Sequence, residues 1–244
     1  MYFFFSGEGP TDLGTSKDQL GPLALIIDQI HEDGKKYPFL VYDQTVFVRS
    51  EDLERIKPSL RTPRRSLGLR GLKTPPEMRG HRKDAHALIY ASAEQMKGKP
   101  DKEFVAVLFR DYNRDKNTDW QGKRKAMTYG FQDGFNDLDG TINAQGVSAV
   151  ASPVSEAWWL SAIYRKEDNN KNCKYLESTS HGNGTDHALK NELETKLGTT
   201  PNRTVLNEMV DNREIDYTLI DSDSFLVFRR DFETAIGLGY LHHT

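Results

Sequence analysis

The sequence predicts an α/β fold with a mostly parallel central sheet flanked by helices. Residues 104–109 form a continuous apolar run, which is typical of a strand buried on both faces. Residues 2–6 and 146–151 are further short apolar runs, and each of the three is followed by polar or turn residues. Helix-forming segments lie between these runs, and an alternation of this kind predicts a parallel sheet.

The remaining elements follow from apolar periodicity and turn residues. Residues 39–48 alternate and predict one or two short strands, and residues 51–56 predict a helical turn. Asp84 is a candidate N-cap for the helix that follows it. Residues 215–220 predict a packing segment or an edge strand. Amphipathic spacing predicts helices at 21–30, 84–96, 122–135, 186–197, 202–212 and 222–236.

Acidic residues follow two of the predicted strands. Glu8 lies in a glycine turn after the first strand, and Asp111, Asn113 and Asp115 recur at every second position after residues 104–109. Ligand sites of open α/β sheets lie beyond the carboxyl ends of strands, and oxygen ligands suit a hard cation such as Mg²⁺. The alternative is a solvated strand-to-helix turn, because Asp and Asn favour turns.

Asp12 follows Glu8 by four residues, so a helix that begins there would point both carboxylates toward one site. A helix N-cap is the alternative role of Asp12. Lys123 opens the predicted helix at 122–135, where a cation opposes the helix dipole. A nearby phosphate would remove that conflict, and an exposed basic turn is the alternative.

Several short segments resemble the Toprim fold of topoisomerases, primases and OLD-type nucleases. The strand followed by Glu-Gly-Pro-Thr-Asp at residues 8–12 and the later strand followed by Asp111 and Asn113 are similar to the two acidic motifs of that family. Three further segments, at residues 21–23, 153–160 and 224–228, resemble small stand-alone Toprim proteins of bacterial defence loci.

This resemblance implies a site that holds Mg²⁺ or Mn²⁺. It implies that Glu8 and Asp111 are metal ligands and that Glu156 belongs to the same site, whereas the residues alone also allow Glu156 to be a helix first-turn acid. It also implies a phosphate contact for Lys190. The family has Asp where this chain has Asn113, and Asp115 is the candidate substitute. The full expected ligand set is Glu8, Asp12, Asp111, Asn113, Asp115 and Glu156.

Residues 57–83 form a basic segment in which proline and glycine are frequent and Glu77 is the only acid. We expect little regular structure there, and two roles are open: contact with nucleic-acid phosphates or a solvated loop. The candidate phosphate contacts are Arg61, Arg64, Arg65, Arg70, Lys73, Arg79, Arg82 and Lys83. We predict one domain over residues 1–244, with this segment as an insertion and a helical C-terminal part.

Composition narrows the class of protein. The 244-residue chain has a net charge of −3, so only a local patch such as the basic segment could attract nucleic acid. One cysteine excludes an intramolecular disulfide framework and favours a reducing cytoplasm. No apolar run is long enough to cross a bilayer, so no membrane association is expected.

The sequence thus predicts a cytoplasmic Mg²⁺- or Mn²⁺-dependent nuclease that hydrolyses DNA or RNA, and the resemblance implies a role in antiviral defence. Glu8, Asp111, Glu156 and Lys190 are the expected catalytic residues. One alternative is a non-catalytic or toxin-regulating subunit of an ATPase defence complex, since this chain has no phosphate-binding GxxxxGK[ST] motif of its own. A nucleotidyl transferase is the other alternative.

Overall fold

A four-stranded, all-parallel sheet forms the centre of the protein, in the order β4-β1-β5-β6. The computed structural model describes residues 1–9, 11–42, 44–60, 75–99, 102–112, 119–138, 140–178 and 186–238. The strands of the sheet are β1 (Tyr2–Ser6), β4 (Thr45–Phe47), β5 (Glu103–Asp111) and β6 (Asn143–Ala151), and β2 (Gly14–Ser16) and β3 (Gln19–Leu20) form a separate antiparallel hairpin. The predicted α/β fold is confirmed.

Helices cover both faces of this sheet. Their bounds are α1 (Pro22–Lys35), α2 (Ser50–Ile56), α3 (Arg79–Met96), α4 (Trp120–Asp137), α5 (Glu156–Glu167), α6 (Tyr175–Ser178), α7 (Asp186–Leu197), α8 (Arg203–Asp211) and α9 (Asp223–Ala235). Alternate side chains of each strand point to opposite faces, so Phe3 and Phe5 join one apolar core and Phe4 joins the other. The first core includes α1, α5, α7, α8 and α9, and the second includes α2, α3 and α4.

The second core depends on a close contact between α3 and α4. A Cβ atom on Gly130 of α4 would lie 2.0 Å from the carbonyl oxygen of Arg82 on α3, so only glycine fits at this position. The Arg82 guanidinium then donates to both carboxylate oxygens of Asp133, at 2.6 and 2.9 Å.

Two helices differ from the sequence prediction. Helix α1 continues five residues beyond residue 30 and ends where Lys36 takes a left-handed conformation, φ 69°. Helix α3 begins at Arg79, so Asp84 lies inside the helix and is not its cap. The expectation of little regular structure is therefore wrong for residues 79–83. Asp84 is tolerated within the helix because it forms ion pairs with Arg110 and Lys57.

The central strand also extends further than predicted. Strand β5 continues through Arg110 to Asp111, and its last residue pairs with Ala151 of β6. Residues 215–220 form a buried packing segment with a short 3₁₀ turn at Tyr217–Leu219, not an edge strand. None of the helices in the described ranges has the length and apolar character that a membrane span requires.

Candidate functional site

The acidic site is assembled at the carboxyl edge of the sheet. Ser6 of β1 pairs with Leu108 of β5. Glu8, two residues after β1, and Asp111, the last residue of β5, therefore lie at the same edge of the sheet. The chain that leaves β6 turns back over Asp111, where the backbone N–H of Ser155 donates to the Asp111 carboxylate at 3.1 Å. Glu156 is the first residue of α5 and follows this turn directly.

Asp12 also lies in this site, although the helix that was expected to begin there does not form. Helix α1 does not begin until Pro22, because the β2–β3 hairpin comes first, so the N-cap alternative for Asp12 is wrong. The Asp12 carbonyl accepts the Leu23 N–H at 2.9 Å, and the Asp12 carboxylate bonds to the Ser155 side chain. A Cβ on Gly21 would lie 2.2 Å from the Asp12 carbonyl oxygen, so a glycine is required where this loop meets α1.

The four carboxylates influence one another electrostatically. Burial raises the pKa of Asp111 well above its usual value, and the charges of Asp12, Glu156 and Glu8 raise it further. Burial likewise raises the pKa of Asp12 to about 6, with added contributions from Glu156 and Glu8 and an opposing one from the Ser155 hydrogen bond. We call these four residues the acidic cluster. They come from three strand ends, and together they carry an excess of negative charge.

This cluster suits a cation by its chemistry. In the described part of the chain, no three Asp, Glu, His or Cys side chains are already arranged as a metal-binding group. The donor set nevertheless fits Mg²⁺ or Mn²⁺, because carboxylates are the ligands these ions prefer and because mutual repulsion within the cluster is relieved by a divalent charge. The fit therefore rests on donor type and charge, and binding requires the side chains to adjust.

Two buried basic residues border the acidic cluster, and the sequence interpretation assigned neither to the site. Arg110 is 4% exposed, and its guanidinium lies 3.7 Å from Glu8 and donates to Asp84 at 3.1 Å. Lys123 is 3% exposed, and its ammonium donates to the backbone carbonyl of Asp111 at 2.7 Å. The sequence left a nearby phosphate or an exposed basic turn open for Lys123, and the exposed turn is wrong because Lys123 is buried against the end of β5.

The other predicted site residues fall into two groups. Some lie outside the described residues, and the others lie on α3 and α7. Asn113 and Asp115 lie outside the described residues, as do Arg61, Arg64, Arg65, Arg70 and Lys73. Lys190 is exposed on α7, and no hydrogen bond or ion pair ties it to the acidic cluster in the described ranges. Arg79 and Lys83 are exposed on α3, whereas Arg82 is paired with Asp133.

The raised pKa of Asp12 leads to a prediction about stability. The Asp12 carboxyl has a pKa of about 6 in the folded protein and an ordinary pKa of 3.8. The stability of the metal-free protein therefore falls as the pH rises from 3.8 to about 6. A pKa shift of this size lowers the free energy of unfolding by on the order of 3 kcal/mol, and the full effect is reached above pH 6. Saturating Mg²⁺ or Mn²⁺ should therefore raise Tm by about 5 °C at pH 7.5 and much less at pH 5.

Differential scanning fluorimetry at matched ionic strength measures this effect, with NaCl as the control for screening. Equal stabilisation at both pH values would mean that the ions act away from the acidic cluster.

Comparison with known proteins finds no similar family. No protein-family model, no curated protein and no solved structure matches the chain. What is shown is an α/β protein with a four-stranded parallel sheet and an acidic cluster at the carboxyl edge of that sheet.

Proposed function

We propose that the protein is a Mg²⁺- or Mn²⁺-dependent nuclease of Toprim type that hydrolyses phosphodiester bonds in DNA or RNA. The observation that carries this proposal is the convergence of Glu8, Asp12, Asp111 and Glu156 from separate strand ends into one electrostatically coupled cluster. A structural role does not require four acids to be gathered in a partly buried place, because their charges oppose burial. The resemblance of residues 8–12 to the first Toprim motif supports the same proposal.

In this proposal, the acidic cluster holds the ion. A bound divalent ion supplies an activated water and neutralises charge that develops on the phosphate. The Ser155 N–H orients the carboxylate of Asp111, and the Lys123 ammonium fixes the backbone of the same residue. Asp111 is thus supported by contacts that keep it in place, which a metal ligand needs.

Helix α5 gives similar support to Glu156. Trp158 is fully buried, its indole N–H donates to the Ser224 hydroxyl at 2.8 Å, and its ring stacks on Phe228 at 6.0 Å between centroids. This packing anchors the first turn of α5 against α9. Glu156 itself contributes little to the fold, because an acid in a first turn stabilises a helix by only about 0.3–1 kcal/mol.

The substitution Glu156→Gln tests the proposed function. We expect the variant to fold normally and to cleave oligonucleotides at least about 100-fold more slowly with Mg²⁺ or Mn²⁺, because a negative ligand of the ion is lost. Glu103→Gln is the matched control, since Glu103 lies at the opposite end of β5 and bonds Asn143 at 3.0 Å. Cleavage by the control should be unchanged.

One outcome would contradict the role of Glu156, and two would contradict the proposed function. Normal cleavage by Glu156→Gln would remove Glu156 from the site. Incorporation of added nucleotides, without cleavage, would favour a nucleotidyl transferase. A wild-type protein that neither cleaves nor incorporates would favour a partner subunit of an ATPase complex.

A further inference from the structure

A cavity of about 310 Å³ lies beside the acidic cluster, at the carboxyl ends of β1 and β4. Glu8 belongs to both the cavity and the cluster, so anything bound in the cavity lies next to the proposed reaction centre. The volume is at the lower end of the range of small-molecule sites, about 300–1,000 Å³. The lining includes the apolar residues Leu13, Phe47 and Val48 and the charged residues Glu8, Arg49 and Glu51.

Two lining residues indicate which kind of ligand fits. Phe47 is half-buried and lines the cavity, and an aromatic ring is a stacking surface for a nucleobase. Arg49 is exposed and forms no ion pair within the described ranges, so its guanidinium can contact a phosphate. Glu8 and Glu51 also line the cavity and would repel a highly charged polyphosphate more than a singly charged phosphodiester.

We propose that this cavity binds one unpaired nucleotide of the nucleic-acid substrate, adjacent to the bond that is cleaved. This inference rests on the proposed function of the acidic cluster and specifies its substrate class as single-stranded DNA or RNA. A base in a duplex is paired and stacked between its neighbours, so it cannot enter a recess of this kind unless it leaves the helix. Single strands, frayed ends and loops present such bases directly.

Gly9 provides a way to fill the cavity without disturbing the fold. A Cβ atom there meets no other atom within 4 Å, and the backbone at Gly9 is not in the left-handed region. Because Gly9 lines the cavity, Gly9→Leu adds a side chain at the cavity wall without a clash at its Cβ atom. Gly140→Leu is the matched control, since Gly140 has the same open surroundings and precedes β6 at the opposite edge of the sheet.

The measurement is fluorescence anisotropy with labelled oligonucleotides in EDTA, so that binding is read without cleavage. The probes are a single-stranded DNA, a single-stranded RNA and a blunt DNA duplex of the same sequence. We expect the wild-type protein and Gly140→Leu to bind at least one single strand about tenfold more tightly than the duplex. Gly9→Leu should lose this preference.

Duplex binding as tight as single-strand binding, or an unchanged preference in Gly9→Leu, would overturn this inference. The outcome is distinct from failure of the proposed function. A wild-type protein that prefers single strands and never cleaves them would refute the nuclease but not the cavity. One that cleaves duplex and single strands equally well would refute only the cavity.

Discussion

The Asp111→Asn protein is expected to be more stable than the wild-type protein and to have lost nuclease activity. Burial and three neighbouring carboxylates raise the pKa of Asp111, so its negative charge is unfavourable in the folded state at neutral pH. Asparagine keeps the oxygen that accepts the Ser155 N–H and removes the charge. We expect the free energy of unfolding to increase by about 1–2 kcal/mol at pH 7.5 without metal, with cleavage reduced at least about 100-fold.

Asp216→Asn is the matched control for this prediction. The carboxylate of Asp216 also accepts a backbone N–H, from Thr218 at 2.8 Å, but it lies in a turn away from the acidic cluster. Urea denaturation and the oligonucleotide assay should show no change in either property for the control. A less stable Asp111→Asn protein would mean that the charge supports the fold.

The largest expected loss of stability is in Asp84→Asn. Asp84 is 8% exposed and bridges Arg110 and Lys57, and Arg110 is itself buried. Among the described residues, removing the charge of Asp84 leaves the Arg110 guanidinium with Glu8 as its one acidic neighbour, at 3.7 Å. Breaking a buried ion pair in this way typically destabilises a protein by about 3–5 kcal/mol. Urea denaturation should show a loss of that size.

Replacing Arg110, the other partner of this ion pair, should lower the free energy of unfolding less. In Arg110→Met, Asp84 keeps its contact with Lys57, so no buried acid is left without a cation. The double variant Asp84→Asn/Arg110→Met should recover more than half of the stability lost in Asp84→Asn, because the buried unpaired charge is gone. Simple addition of the two single losses would show that Asp84 and Arg110 are not energetically coupled.

The elements that were predicted best are the buried strands, because their sequences contain continuous apolar runs. Continuous apolar runs identify β1, β5 and β6, since strands covered on both faces need apolar side chains throughout. Parallel pairing then brings their carboxyl ends together, so proximity of Glu8 to Asp111 could be predicted from strand order alone. The resemblance to Toprim proteins added Glu156, and the structure places it with these acids.

Two features of the fold were missed, for different reasons. The predicted apolar strand ends at residue 109, before Arg110. Arg110 is nevertheless part of β5, since Asp84 on α3 neutralises it. The β2–β3 hairpin was not predicted because strands of three and two residues have too few positions for a visible alternation.

The order of pairing in the sheet has a consequence for biosynthesis. Tyr2 pairs with Phe104, so the consecutive phenylalanines of β1 are made long before the strand that covers them. Until then the edge of β1 that faces β5 stays unpaired, which makes the growing chain a target for chaperones and a risk for aggregation. The acidic cluster is complete only after Glu156 has left the ribosome, so under the proposed function a shorter nascent chain would not cleave nucleic acid.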